Sequence, residues 1–250
     1  MKQSSILPTT LAALSLGLAV APAFAQSIQG LPRLSQKQRI TQTLGITEVT
    51  LEYHRPQVKG RTIWGDLVPF GEVWRAGAND NTTIRFSDPV KIEGQALAAG
   101  TYGLHMLPGE DEWQIIFSKN HTSWGSFSYD EAEDALRVTV TPEKGSFQEA
   151  LEYRFVDLTP DGGVIVMHWE ELGVPFEIEV DTHELVVAKM RNDLRHLPGF
   201  DWQGWNSAAN YCARNDINHD EAMEWIERAL SMEKNFANLR VKSLLLLRMG

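Results

Sequence analysis

Basic and aromatic side chains are concentrated in one stretch of the first half of the chain. They are Arg55, Lys59, Arg61, Trp64, Trp74 and Arg75, and the amide side chain of Asn79 follows them as a further candidate ligand-binding residue. A guanidinium presents a planar fork of N–H donors that fits carboxylate and phosphate groups, and it also stacks on aromatic rings. The chain as a whole carries a formal net charge of −10, so these cations interrupt an acidic background. The pattern predicts a binding site for a small anionic or carbohydrate ligand.

A second segment, residues 121–130, is rich in serine and aromatic residues. Trp and Tyr bury their rings and keep a polar tip in water, which suits a loop that faces a carbohydrate. A packed surface loop has the same composition, so both interpretations are open. In the first interpretation, Trp124 and Tyr129 lie near the basic stretch and contribute to the ligand-binding site.

The arginines also allow a purely structural interpretation. An irregular segment lacks ladder hydrogen bonds, and its backbone carbonyls need other donors. In this interpretation the guanidinium groups bond loop carbonyls and pair with Asp66, Glu72 or Asp80. Networks of this kind imitate binding sites, and the sequence leaves the choice open.

Patterns typical of catalysis or metal binding are missing from the sequence. The seven histidines show neither His-x-His nor His-Glu-x-x-His spacing, and no Gly-x-Ser-x-Gly turn presents a serine nucleophile. We therefore assign no catalytic residue, no metal ligand and no cofactor. The alternative is a hydrolase whose site is assembled across strands, for example from Glu112, His121 or Asp130.

Charge and hydropathy limit the location and the partners. A protein that binds a phosphate backbone needs a basic face, so we expect no nucleic acid partner. Residues 1–25 have the features of a secretory signal peptide: Lys2, an apolar stretch from Leu11 to Val20, and small residues around Phe24. We expect a periplasmic or secreted protein with no integral membrane segment after signal cleavage.

The elements that must position these side chains change character along the chain. From residue 46 to residue 180 apolar residues alternate with polar ones, as Val49, Leu51 and Tyr53 do, which is typical of half-buried strands. Turn signals, Gly173 among them, divide the strands. We predict a β-sandwich or jelly-roll-like antiparallel β domain over residues 26–180.

After Asp181 the apolar period is about 3.6 residues, which predicts a small α-helical region over residues 181–250. Asp201 is an expected helix cap, and the last helix is expected over Phe236–Met249. Ala222, Ile226 and Ala229 resemble the small-residue pattern of a tetratricopeptide repeat, although an ordinary helical hairpin fits equally well. Such a tail offers a surface for a protein partner.

Longer motifs surround the basic stretch and recur downstream. They read Arg55-Pro56-x-Val58-Lys59-Gly60-Arg61-x-Ile63-Trp64-Gly65, Leu67-Val68-Pro69-Phe70-Gly71-x-Val73-Trp74-Arg75-x-Gly77-Ala78-Asn79, Ala99-Gly100-Thr101-Tyr102, Gly109-Glu110-Asp111-Glu112-Trp113 and Trp124-Gly125. Over residues 31–180 this pattern resembles the exported bacterial proteins grouped as domain of unknown function 2911. The resemblance implies a secreted or periplasmic β-sandwich, with a repeat-like helical tail in many members and no established activity. His54, His105 and His168 stand where the family pattern has other residues.

Three functions follow as hypotheses. The first is a non-enzymatic exported binding or scaffold module for a small anionic or sugar-like ligand and a protein partner. The second is the hydrolase described above. The third is an interaction protein in which the helical tail makes every contact and the β domain supports it.

Overall fold

The computed structural model describes residues 32–250, so the predicted signal peptide, residues 1–25, lies outside the described residues. An antiparallel β region with two sheets comes first, and four helices follow it. The chain changes from strand to helix between Glu179 and Thr182, close to the boundary expected from the change in apolar period.

Six strands form the first sheet, and every neighbouring pair is antiparallel. They are β1 Gln36–Leu44, β2 Thr47–Arg55, β3 Thr83–Phe86, β6 Gly100–Leu107, β7 Trp113–Ser118 and β8 Asp134–Val140, in the spatial order β1-β2-β3-β6-β7-β8. Val49, Leu51 and Tyr53 of β2 are at most 1% exposed, as predicted, but the alternation is incomplete because Thr50, between Val49 and Leu51, is also buried at 4% exposure.

Four strands form the second sheet. They are β4 Val90–Ile92, β5 Gln95–Leu97, β9 Glu143–Thr159 and β10 Gly162–Glu179, in the spatial order β5-β4-β10-β9. The expected turn at Gly173 is wrong, because β10 continues through this residue, which pairs with Glu143 of β9. The pairing register shifts between His168 and Leu172, so the glycine follows β-bulges within a strand and does not mark a strand end.

One hydrophobic cluster collects the buried side chains of both sheets. Phe117 of β7 meets Phe176 of β10 with their ring centroids 6.1 Å apart. Four tryptophans, Trp64, Trp74, Trp113 and Trp169, belong to this cluster or pack against it. The sheets and the segment that carries the basic residues are therefore stabilised by the same apolar burial.

The four helices are α1 Thr182–Asp193, α2 Trp202–Asn215, α3 His219–Met232 and α4 Phe236–Met249. They share a second hydrophobic cluster, in which Ala209, Ala222 and Ala229 are fully buried. Asp201 occupies the N-cap position of α2, but its side chain makes no capping hydrogen bond. Within residues 32–250, no helix combines the length and the apolar character that crossing a bilayer requires.

Candidate functional site

The chain between β2 and β3, residues 56–82, contains no extended strand, and we call it the crossover segment. It is nevertheless folded, because Val58, Ile63 and Val68 are no more than 5% exposed. The Val68 N–H donates to the Ile63 carbonyl over 2.9 Å, and the Gly65 N–H donates to the Val68 carbonyl over the same distance. Buried apolar anchors and internal hydrogen bonds thus give this segment a defined shape.

Arg55, at the end of β2, fixes the backbone of the second sheet. Its Nε–H donates to the Leu151 carbonyl over 2.9 Å, and its Nη2 lies 3.4 Å from the Glu152 carboxylate. The carboxylate that Arg55 meets therefore belongs to β9 and is not Asp66, Glu72 or Asp80, the partners that the structural interpretation named. This guanidinium joins β2 to β9 and is committed to that contact.

Arg61 and Lys59 belong to one turn, in which the Arg61 side chain bonds to nearby backbone carbonyls. The Nε–H of Arg61 donates to the Val58 carbonyl over 3.0 Å, and its Nη2 donates to the Gln57 carbonyl. The backbone N–H of Lys59 donates to the Glu149 carboxylate over 3.0 Å, and its side chain is exposed. The structural interpretation of the arginines therefore describes Arg61 well.

Trp64 and Trp74 meet two tryptophans from the sheets. The Trp64 ring stands edge-on to Trp74, Trp113 and Trp169, with ring centroids 6.0, 5.0 and 5.7 Å away. The Trp74 ring stacks on Trp169 at 5.9 Å and 20°. Aromatic pairs of this geometry add about 1 kcal/mol each beyond area burial. The two predicted tryptophans therefore belong to an aromatic cluster that joins the crossover segment to the sheets.

Arg75 differs from Arg55 and from Arg61. Among residues 32–250, no carboxylate lies within ion-pair distance of its guanidinium, and its buried Nε–H has no hydrogen-bond acceptor. Its Cζ lies 6.0 Å from the centroid of the Phe127 ring. Burial lowers the pKa of Arg75 from its ordinary value, although the group stays charged at neutral pH.

A short backbone bridge positions Arg75. Trp74 and Met106 exchange two N–H to carbonyl hydrogen bonds of 2.8 Å in an antiparallel bridge beside β6. One step further in this register places Arg75 opposite His105, and both residues lie on the sheet face away from Met106. The bridge therefore turns Trp74 towards the core and Arg75 towards residues 121–130.

Arg75 lines a pocket of about 480 Å3, which we call the crossover pocket. Its walls combine apolar, aromatic and polar groups, and they include Leu67, Val68, Glu72, Trp74, Arg75, Ser126, Phe127 and Trp169. This volume and mixture are typical of small-molecule sites. Arg61 also lines the pocket, so the structure brings together Arg61, Trp74 and Arg75 of the predicted site.

The polar atoms without partners around this pocket are all hydrogen-bond donors. The Nε–H of Arg75 and the indole N–H of Trp169 are buried and meet no acceptor in the described part of the chain. The indole N–H of Trp64, whose ring packs on Trp169, is also buried and has no acceptor among the described residues. A buried donor without an acceptor costs roughly 1–3 kcal/mol, so native proteins rarely leave one in place without a reason. An acceptor-rich ligand complements such a wall.

Asn79 and Trp124 occupy the surroundings of the pocket and not its wall. Asn79 has a left-handed backbone, with φ of 60°, and its amide donates to the Ser35 carbonyl over 3.3 Å. Trp124 is 61% exposed and stacks on Phe127, with ring centroids 5.7 Å apart. Phe127 reaches the pocket and was not among the predicted residues. Its position beside Gly125 and Trp124 is the sequence signal that could have identified it.

Tyr129 belongs to a polar network beside His105 and outside the crossover pocket. Its hydroxyl donates to the Asp134 carboxylate over 2.7 Å and accepts a hydrogen bond from Arg137. Burial and the neighbouring Asp134 carboxylate raise the pKa of Tyr129 to about 12. The ring packs against His105 at 5.4 Å. Tyr129 therefore supports the histidine and does not line the crossover pocket.

His105 and Ser126 form a contact that the sequence analysis missed. The Nδ1 atom of His105 lies 2.8 Å from the Ser126 Oγ atom. His105 is 3% exposed, and burial lowers its pKa to about 4, although the Asp134 charge acts in the opposite direction. The imidazole is therefore neutral at ordinary pH. Ser126 is half-buried and also lines the crossover pocket.

The residues of the hydrolase alternative occupy three different settings. Glu112 is exposed in the turn before β7, and the Asp130 carboxylate accepts a hydrogen bond from the Ala132 N–H. His121 lines another cavity of about 290 Å3, together with His54 and other residues. Across residues 32–250, no three histidine, cysteine or acidic side chains are grouped so that they could hold a metal ion.

A further cavity of about 490 Å3 lies where β10 meets α1. Its wall includes Asp161, Glu179, Asp181 and Glu184, with Lys91 as its basic residue. An acidic wall opposes the anionic chemistry that the basic stretch predicts, and this cavity contains none of the predicted site residues. The crossover pocket is therefore the better candidate for a functional site.

The crossover segment lies inside the region that a known family matches. Residues 35–178 match the family described as "Protein of unknown function (DUF2911)". The chain belongs to this family. No curated protein and no solved structure matches the chain. Membership covers both sheets and the crossover pocket, and it carries no assigned activity.

Proposed function

We propose that the β domain of this DUF2911 protein binds a small anionic, sugar-like ligand in the crossover pocket. The single observation that carries the proposal is Arg75, a half-buried guanidinium with no carboxylate partner in residues 32–250, in the wall of a pocket of about 480 Å3. A carboxylate or phosphate of the ligand pairs with this fork of donors.

The other walls define the remaining chemistry of the ligand. The Trp74 and Phe127 rings offer apolar faces, while the Glu72 carboxylate accepts hydrogen bonds from hydroxyl groups. A molecule with one negative charge, several hydroxyls and an apolar ring face fits these groups. Sugar acids have all three features, and they are the class of ligand that we propose.

The proposal includes the location and the larger architecture predicted from the sequence. The protein is exported to the periplasm or secreted, its two sheets form a β-sandwich, and its helices form a repeat-like tail. The signal-like residues 1–25 and the close packing of Ala209, Ala222 and Ala229 support these points.

The helical tail is proposed to contact a protein partner. Large apolar side chains are exposed there, and they include Leu197, Phe200, Phe236 and Leu247, each at least 77% exposed. A mixed apolar and charged surface of this kind suits a protein interface. Substituting Phe236 and Leu247 with Ser should abolish recovery of the partner in a pull-down, while ligand binding by the β domain is unchanged.

Titration calorimetry with D-glucuronate, D-glucose and inorganic phosphate tests the ligand proposal. We expect glucuronate to bind, glucose to bind at least tenfold more weakly, and Arg75→Gln to weaken glucuronate binding about 10- to 100-fold through loss of a charged hydrogen-bonded pair. Equal affinities for glucuronate and glucose would contradict the proposed pairing of Arg75 with a negative group of the ligand.

Two variants serve as controls for this titration. Arg85→Gln removes a positive charge from β3, where Arg85 is half-exposed and pairs with Glu48, and it should leave the affinity for glucuronate within about twofold. Arg75→Lys keeps the charge but loses the planar fork, so an intermediate affinity is expected. Binding that survives Arg75→Gln unchanged in a folded protein contradicts the proposal.

A further inference from the structure

Ser126 joins the crossover pocket to a buried imidazole. It lines the pocket on one side, and its Oγ atom lies 2.8 Å from the Nδ1 atom of His105 on the other. That distance lies within the range that joins a nucleophile to its general base. Because His105 is 3% exposed and belongs to β6, its ring is held in place by the sheet.

The neighbours of Ser126 bring a positive charge to the same place. The Nη1 atom of Arg75 lies 2.8 Å from the point where a Cβ on Gly125 would stand, and its Cζ lies 6.0 Å from the Phe127 ring. The guanidinium therefore contacts the residues on both sides of Ser126. The antiparallel register from the Trp74–Met106 bridge places the same Arg75 opposite His105.

We propose that Ser126 is a nucleophile, with His105 as its general base, and that the pair hydrolyses a carboxylic ester that carries a negative charge. The proposal rests on the crossover pocket as the binding site of the proposed function and adds a reaction to it. Arg75 pairs with the negative group of the substrate and holds the ester carbonyl beside Ser126.

The reaction has two steps and needs water as its second reactant. In the first, the Ser126 Oγ forms a bond to the ester carbonyl carbon while its proton moves to His105 Nδ1, and the C–O bond to the alcohol breaks as the alcohol takes that proton. In the second, a water molecule attacks the acyl-serine and gives a proton to His105. The Oγ–C bond then breaks, Ser126 regains its proton, and the acid leaves.

The charges around His105 come from several elements. The Asp134 carboxylate on β8 favours the protonated ring, Tyr129 packs on the ring, and Glu133 lines the same small polar space. Arg137 meets Asp134 and Tyr129 and so reduces the field of that carboxylate. Burial dominates and keeps His105 neutral, which is the protonation state that a base requires.

Labelling of the full chain with a neutral alkyl fluorophosphonate tests the proposal. The Ser126 Oγ displaces fluoride, so that an O–P bond forms, the P–F bond breaks, and the hydroxyl proton leaves through His105. We expect one adduct per chain by intact mass, located at Ser126 by peptide mapping. Labelling should be absent in Ser126→Ala and at least about 100-fold slower in His105→Gln, as loss of a general base implies.

Ser128→Ala is the matched control, because Ser128 lies in the same loop and beside the same small polar space as His105, but its hydroxyl donates to Ser123 over 3.4 Å and not to the histidine. It should label at the wild-type rate. Thermal unfolding of each variant identifies any that fails to fold. Since Ser126 is in a half-buried loop position, Ser126→Ala supplies the decisive comparison if His105→Gln does not fold.

A second arm measures turnover of 4-nitrophenyl hemisuccinate and 4-nitrophenyl acetate. The proposal expects the anionic ester to be hydrolysed at least tenfold faster, with loss of the reaction in Ser126→Ala. A folded wild-type chain with no adduct at Ser126 overturns the proposal, as does unchanged labelling in a folded His105→Gln. Glucuronate binding without labelling contradicts only the hydrolysis, whereas labelling without anion binding contradicts only the proposed function.

Discussion

The two ends of the crossover segment use the same side chain in opposite ways. At its start, Arg61 and the neighbouring Arg55 at the end of β2 give their N–H groups to three backbone carbonyls, and Arg55 also meets Glu152. At its end, Arg75 meets no carboxylate of residues 32–250 and faces a pocket. The first end fastens the segment to the second sheet, and the second end leaves a cation available.

The contrast distinguishes an arginine that lines a pocket from one that supports the backbone. Both kinds lie beside aromatic rings and within one family motif, so composition does not separate them. They are separated by whether the N–H donors of each guanidinium already have acceptors within the protein. A guanidinium whose donors are all bonded has none available for a ligand. Stability and binding measurements on the wild type and on variants of His105, Arg55, Arg75 and Gly125 test this contrast.

Acidification should lower the stability of the folded protein through His105, the residue that contacts Ser126 of the pocket wall. The pKa of His105 falls to about 4 in the folded protein through burial, whereas an unfolded histidine titrates near 6.5. Below pH 6.5 the unfolded state therefore binds the extra proton, and stability falls with pH until the folded protein is also protonated near pH 4. The loss is on the order of 3 kcal/mol in the free energy of unfolding.

Urea unfolding of the wild type and of His105→Gln, at neutral pH and at about pH 4.5, measures this loss. The variant should lack the part of the pH dependence that belongs to His105, while other titrating groups affect both proteins equally. Parallel pH profiles for the two proteins would show that the ring is not buried in its neutral form.

Exchanging each arginine for glutamine should separate the two ends of the segment. Arg55→Gln removes a charged hydrogen bond to the Leu151 carbonyl and the contact with Glu152, so we expect a loss of about 2 kcal/mol in the free energy of unfolding. Arg75→Gln removes no such bond and should change stability by less than about 0.5 kcal/mol. Denaturant unfolding measures the loss of free energy in each variant. Equal losses would contradict the different roles assigned to Arg55 and Arg75.

Gly125→Ala should disturb the pocket end through Arg75. The new Cβ would lie 2.8 Å from the Arg75 Nη1 atom, and the backbone there has φ of 73°. We expect a stability loss of about 1 kcal/mol from the left-handed backbone, together with weaker glucuronate binding as the guanidinium moves.

Gly71→Ala provides the matched control, because Gly71 has φ of 76° and no heavy atom within 4 Å of its Cβ position. It carries the same backbone cost without the contact. We expect similar stability losses in thermal unfolding and a reduced affinity only in Gly125→Ala. Equal affinities in calorimetry would mean that the guanidinium has room to move without leaving the pocket.

Strands with a clear alternation could be predicted from the sequence, and those without it could not. Val49, Leu51 and Tyr53 alternate with polar residues, and they are buried as expected in β2. Strand β6 was missed because it is buried on both faces from Tyr102 to Met106, so its sequence has no period of two. Strand β1 was missed because its nine residues are mostly polar and exposed.

The candidate site shows a similar division. Arg75 and Trp74 could be named from residue type and spacing alone, because cations beside tryptophans in an acidic chain favour an anionic ligand. Ser126, Phe127 and Trp169 reach the same pocket from other parts of the chain, and no local pattern connects them. Strand pairing brings them together, and pairing depends on long-range register.

By itself, the sequence determined the family, the change from strands to helices near residue 181, and the cluster of cations and tryptophans. Local periodicity and motif spacing carry that information. The folded structure was needed to show which guanidinium has no carboxylate partner among residues 32–250 and which serine meets His105. Those outcomes depend on which carbonyls and carboxylates distant strands place within about 3 Å of each donor. Residue spacing along the chain does not determine these distances.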